Sequence, residues 1–211
     1  RCTEFIRYGR HVEDITRSGS GVLIPGPGPG IIEDMRSYCI YCKTGSEHRL
    51  VEHLSKMLKE LYESEPKLLF PVRLVHEKHR GRWSTVEQPL LPGYLFLYVD
   101  DTEVLAPYII KQERDVYKIL RYTDGTMQLR DGDEAYAMWV LRYKGRLAPS
   151  KAICEAGRLV KILEGPLIDM EGKIVKVDRH KKRVVVAFDF AGMERLVNLS
   201  VDILTSAEAA R

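Results

Sequence analysis

Cys39 and Cys42 stand in the Cys-x-x-Cys spacing that elsewhere holds zinc or forms a redox dithiol. They lie in the run Tyr38-Cys39-Ile40-Tyr41-Cys42, which reads as a β-strand, and residues three apart on a strand face opposite ways. Their thiols cannot share one ion, and no second Cys or His pair follows at ligand spacing. Reduced, partly buried thiols are expected, with no metal and no cofactor. The six His are scattered. The sequence has no P-loop, no Gly-x-Ser-x-Gly and no His-Glu-x-x-His, so no catalytic residue is assigned and no enzyme is indicated.

The chemistry that remains is binding. In Tyr94-Leu95-Phe96-Leu97-Tyr98-Val99, alternation sends Leu95, Leu97 and Val99 to one face and Tyr94, Phe96 and Tyr98 to the other. The aliphatic face suits a core. The aromatic face suits either burial under a helix or an exposed docking patch, since aromatic side chains are enriched at interface hot spots. Tyr41 on the first strand can extend such a patch. A second set is basic: Arg49, His53 and Lys56 fall at i, i+4 and i+7 of a helix, Lys43 sits just before it, and no acid interrupts the stripe. Such a face is either simply solvated or shaped for a phosphate backbone. A third set lies near the carboxy terminus, where the turn Asp178-Arg179-His180-Lys181-Lys182-Arg183 is basic and Leu167, Ile168 and Met170 sit together in an earlier loop.

The elements that must position these residues are legible from periodicity. Tyr38–Lys43 reads as a strand. Thr44-Gly45-Ser46-Glu47 has the form of a capping box, and Leu50, Leu54, Met57, Leu58 and Leu61 make the apolar stripe of a helix that Pro66 stops. Leu68–Glu77 and Trp83–Glu87 read as strands about the turn Arg80-Gly81, and Tyr94–Val99 follows the break at Pro92-Gly93. Helix over 103–110, strand over 116–122 and helix over 131–141 complete an α+β sandwich, an antiparallel sheet with flanking helices. Residues 142–154 read as a linker. Five short β-branched runs between 158 and 204 then suggest a small all-β barrel. Val160, Ile162, Ile174, Val175, Val177, Val184, Val185, Val186 and Phe188 are its expected core.

Residues 1–34 differ. Pro25-Gly26-Pro27-Gly28-Pro29-Gly30 excludes helix and ladder, Ser18-Gly19-Ser20-Gly21 has linker composition, and a disordered extension ahead of Met35 is expected. The expected division is therefore 1–34 extension, 35–141 first domain, 142–154 linker, 155–204 second domain and 205–211 tail. With 45% hydrophobic and 30% charged residues in 211, the chain can build one or two cores and has no membrane-length apolar run; a cytoplasmic location is expected. A net charge of +3 permits nucleic-acid contact without requiring it.

Three segments resemble the NusG family of transcription elongation and antitermination factors. They are Tyr38-Cys-Ile-Tyr-Cys-Lys-Thr-Gly-Ser-Glu and Pro89-Leu-Leu-Pro-Gly-Tyr-Leu-Phe-Leu, similar to its amino-terminal NGN domain, and Gly165-Pro-Leu-Ile-Asp-Met-Glu-Gly, similar to its KOW motif. Tyr41-Cys42-Lys43 and Glu52-His53-Leu54 resemble the specialised paralog branch, RfaH-like or LoaP-like. The resemblance implies an NGN sandwich followed by a small KOW, SH3-like barrel. It implies that Tyr41, Tyr94 and Phe96 dock on the clamp helices of the RNA polymerase β′ subunit, and that Lys43, His53 and Lys56 meet non-template DNA of the transcription bubble; Arg49 joins them by helix geometry. Bridging the clamp would suppress pausing and raise processivity. For the KOW domain it implies a ribosomal protein, a termination factor or nascent RNA as partner; the loop with Leu167, Ile168 and Met170 suits a protein partner, and the turn with Arg179, Lys181, Lys182 and Arg183 suits RNA. This chain departs from the aromatic-rich Gly-Pro-Phe-x-Gly of many members by carrying Gly165-Pro166-Leu167-Ile168-Asp169. A general housekeeping factor coupled to termination, and a KOW-containing ribosome-associated protein, are the other readings. The second domain is expected as a constitutive barrel; a helical hairpin covering Tyr41, Tyr94 and Phe96 is the alternative, disfavoured because β-branched runs lose entropy in a helix.

Overall fold

The computed structural model describes residues 35–62, 66–100, 106–154 and 160–204. The expected amino-terminal extension and the 205–211 tail lie outside the described residues.

The first domain is built on a four-stranded antiparallel sheet in the order β2-β5-β1-β6, from β1 (Met35–Cys42), β2 (Lys67–Leu69), β5 (Tyr94–Asp100) and β6 (Val116–Ile119). Cys39 pairs with Phe96 and Tyr41 with Tyr94, so like faces align across the strands. One face carries Ile40, Leu95, Leu97 and Val99, packed by Leu50, Leu54 and Leu58 of helix α1 (Glu47–Leu61) and by α2 (Ala106–Ile110). The other carries Cys39, Phe96 and Tyr98 beneath α3 (Asp131–Arg142). The strand alternation and the helical stripe are thus realised as two cores, one on each side of a single sheet. The expected strand 68–77 is interrupted at Phe70-Pro71, giving β2 and then β3 (Val72–His79), which pairs with β4 (Arg82–Pro89) and, in parallel, with β7 (Arg146–Leu147).

The expected linker, 142–154, contains structure. Besides β7 it supplies β8 (Ser150–Cys154), which runs parallel to the end of β12 (Met193–Leu204) and pairs with β9 (Val160–Glu164). With β10 (Ile174–Asp178) and β11 (Arg183–Phe190) these form a five-stranded sheet in the order β10-β11-β12-β8-β9. Five strands were expected, but the runs at 195–199 and 201–204 are one long strand and the fifth comes from before residue 155. Ile162, Val184, Val186 and Phe188 are buried as expected, whereas Val175 is exposed and Val185 only half-buried. The Val160 side chain lies outside the described ones.

The two domains pack on each other. Tyr136 of α3 stacks on Phe188 at 4.3 Å, and Phe190 meets Phe96 at 5.6 Å. Trp139 donates its indole N–H to the Pro166 carbonyl at 2.9 Å, and Arg73 donates to the Asn198 carbonyl at 2.7 Å.

Candidate functional site

The aromatic strip starts from a backbone device. Gly93 has φ +80, and a Cβ there would lie 3.1 Å from the Cys42 carbonyl oxygen and 3.3 Å from the Tyr41 ring. The buried carboxylate of Glu47 accepts from the Gly93 N–H at 2.8 Å and from the Gly45 N–H at 2.6 Å. The expected capping box is therefore not formed in its usual way. Glu47 is the first residue of α1 and no side chain caps from Ser46; its carboxylate instead ties the helix start to the turn before β5. Tyr41 and Tyr94 are set side by side as a result, 5.2 Å apart.

Along β5 the aromatic face then divides. Tyr98 is fully buried and donates its hydroxyl to the Ala137 carbonyl at 2.6 Å; burial pushes that hydroxyl well above its ordinary pKa. Tyr98 belongs to the core under α3. Phe96 is fully buried between Tyr136 and Phe190. Its cover comes partly from its own domain and partly from the second domain. Tyr94 is half-buried, with the Phe190 ring edge-on at 6.2 Å. Tyr41 is half-buried and touches Tyr117 at 5.4 Å, which is 58% exposed on edge strand β6. Sequence reasoning missed Tyr117. Its signal was the alternation of β6, which places Tyr117 opposite the buried Val116, but only the strand order brings it to Tyr41. An open cluster of three tyrosines thus continues into a phenylalanine that the second domain covers.

The β11–β12 turn makes that cover. Asp133 of α3 accepts from the Ala191 N–H at 2.8 Å and from the Tyr122 hydroxyl at 2.8 Å. The Tyr122 hydroxyl is raised to about 12, by burial first and by its bond to Asp133 second. The second domain is all-β, as expected, and not a helical hairpin; what the expectation lacked is that its β11–β12 end covers Phe96.

The basic stripe lies on the exposed side of α1 but is not free of acids. Arg49 pairs with Asp115, and His53 Nε2 lies 3.5 Å from a Glu113 carboxylate oxygen. Both acids come from the turn before β6, more than 55 residues away in sequence, so periodicity along the helix does not show them. Lys43 and Lys56 are exposed, with no acidic partner among the described residues.

In the second domain, Leu167 is fully buried in the interdomain core and its N–H is held by the Ser150 hydroxyl at 3.0 Å; its expected display to a partner is corrected. Ile168 is exposed, and the Met170 side chain lies outside the described ones. Arg179 and Lys181 are exposed. Arg183 is half-buried against the first domain, donating to the His76 carbonyl at 3.4 Å beside Glu77 at 3.8 Å, and Lys182 lies over the Trp83 ring at 5.6 Å. Those two side chains join the domains. Cys39 and Cys42 lie in different cores on opposite faces of the sheet, and burial raises both thiols, Cys42 to about 11.

The architecture is a sandwich with helices on both faces of an antiparallel sheet, followed by a small five-stranded unit. Residues 35–135 match the family described as transcription termination factor nusG, and residues 156–186 match the KOW motif. The two in this order place the chain in the NusG family of transcription termination/antitermination factors. The transcription termination/antitermination protein NusG of Vibrio parahaemolyticus is 28% identical over 176 residues, covering 78% of this chain and 91% of that protein. The NusG of Yersinia pestis is 24% identical over 170 residues, covering 78% and 92%. A solved structure described as domain interaction in Thermotoga maritima NusG aligns at TM-score 0.46 and 21% identity, over 79% of this chain and 93% of that one.

Proposed function

We propose that this chain is a transcription elongation factor that docks through Tyr41, Tyr94 and Phe96, joined by Tyr117, on the β′ clamp helices of RNA polymerase. There it suppresses pausing and promotes antitermination, as a specialised RfaH-like or LoaP-like member acting in the cytoplasm. The carrying observation is the aromatic strip: Tyr41 and Tyr94 are half-buried and Tyr117 is exposed, while Phe96, the next residue on that face, is covered partly by α3 and partly by the second domain. Docking of all four requires the second domain to move away. Lys43 and Lys56 are the first candidates for contact with non-template DNA, with Arg49 and His53 joining if they exchange Asp115 and Glu113 for phosphate. Once released, the KOW domain presents Ile168 and the β10–β11 turn to a ribosomal protein or a termination factor. A housekeeping role shares every one of these surfaces and differs in breadth of recruitment, which genome-wide occupancy on polymerase measures.

The test is binding of the full chain to isolated clamp helices. Tyr94→Ala and Tyr41→Ala should each weaken it by about 2 kcal/mol, the scale of a central aromatic anchor. Unchanged affinity in both folded variants would remove the assignment.

A further inference from the structure

Trp83 serves neither core. It sits on β4, 44% exposed, with the ammonium of Lys78 5.9 Å and that of Lys182 5.6 Å from its ring centre. Lys78 belongs to the first domain and Lys182 to the second. Between them runs an open groove of about 600 Å³ whose walls include Glu77, Lys78 and Trp83 from the β3–β4 hairpin and His180, Lys181 and Arg183 from the β10–β11 turn. The walls are fixed to each other through His76. Its N–H donates to the Ser200 hydroxyl at 2.9 Å, its ring lies 3.1 Å from an Asp202 oxygen, and its carbonyl accepts from Arg183.

From this we propose that the docked domains form a binding groove for single-stranded RNA, with Trp83 as the stacking platform and Lys78 and Lys181 as phosphate contacts. An exposed indole beside two cations matches a polyanion whose bases carry π-faces. A duplex has no free base to stack on Trp83, so the strand is single. Glu77 selects the sugar: its carboxylate repels phosphate but accepts from a ribose 2′-hydroxyl, which deoxyribose lacks. The site exists only while the domains are docked, so RNA bound there holds the second domain over Phe96. By linkage, RNA and the clamp helices oppose each other for the same chain. RNA binding itself does not depend on the clamp reading, because Trp83 lies on the β3–β4 sheet and Tyr41 and Tyr94 on another.

The experiment is fluorescence anisotropy of the full chain with a labelled ten-nucleotide oligouridylate, its deoxyuridylate counterpart and an RNA duplex. Trp83→Ala should weaken RNA binding at least tenfold and leave clamp-helix binding in the absence of RNA unchanged. Lys78→Ala combined with Lys181→Ala should flatten the slope of log K against log salt by about 1.4, the single-strand value for two lost phosphate contacts. Asp133→Ala, which frees the β11–β12 turn, should lower RNA affinity, with the thermal melt checking that the variant folds. RNA binding within twofold of the parent in Trp83→Ala overturns the site. Equal affinity for deoxyuridylate overturns the sugar assignment, and tighter binding of duplex overturns the single strand. Full RNA affinity in a folded, undocked Asp133→Ala overturns the requirement for both domains.

Discussion

Gly93 carries more of the site than its lack of a side chain suggests. Its left-handed backbone lets Tyr41 and the Cys42 carbonyl approach it, and its N–H is the group that the buried Glu47 carboxylate holds. Gly93→Ala should destabilise the fold by about 2 kcal/mol, combining left-handed strain with a contact tighter than a Cβ tolerates. The urea midpoint measures it, and a shift worth less than about 0.5 kcal/mol would show that the turn yields freely. The Pro-Gly pair announces a turn in the sequence, but the carboxylate that fixes it does not, because Glu47 reads there as a local helix cap. Cys42 gives a second test at this scale. With its thiol raised to about 11 by burial, roughly one molecule in a thousand is thiolate at pH 8, against about a quarter for an ordinary thiol. Alkylation in a variant retaining Cys42 alone should run at least a hundredfold slower in the folded protein than in urea. Comparable rates would mean that the strand opens readily.

Elements were legible where one stretch of chain determines one face. The alternation in β5 predicted Leu95, Leu97 and Val99 as a core face, and the stripe of α1 predicted Leu50, Leu54 and Leu58 in the core, although Leu61 of the same stripe is exposed. What escaped was set by partners distant in sequence. Lys151-Ala152-Ile153 carries no strand signal strong enough to stand out from a linker, and becomes β8 because the end of β12 lies parallel beside it. The stripe on α1 looked free of acids because Glu113 and Asp115 arrive from another turn. That pairing makes a graded prediction for DNA-dependent recruitment to paused polymerase. Lys43→Ala and Lys56→Ala should each flatten the salt dependence, whereas Arg49→Ala should change it less, since Arg49 must first leave Asp115. An exposed pair of this kind contributes at most about 1 kcal/mol, so the difference should be modest. Equal effects from all three would show that Asp115 does not hold Arg49 back.

At the scale of the whole molecule, the sequence foretold two domains and did not foretell their contact. Phe188 continues the alternation of β11 that buries Val184 and Val186, so it reads as more barrel core, and Phe190 follows it on the same face. In three dimensions they meet Tyr136 and Phe96 instead. A strand that is core at one end and interface at the other cannot be recognised from its own pattern. The consequence for binding is quantitative. If only a fraction of molecules is undocked, the apparent affinity for a partner that needs Phe96 falls by that fraction. Phe190→Ser removes the ring over Phe96 and leaves a hydroxyl against an apolar surface, so it should favour the undocked state. Clamp-helix binding should therefore tighten, by at least tenfold if fewer than about one molecule in ten is open in the parent. Trp139 offers an internal check, because its indole bonds to Pro166 across the interface and its emission should shift to the red when that contact opens. A red shift without tighter clamp binding would mean that the covered phenylalanine is not part of the docking surface, leaving Tyr41, Tyr94 and Tyr117 to carry it alone.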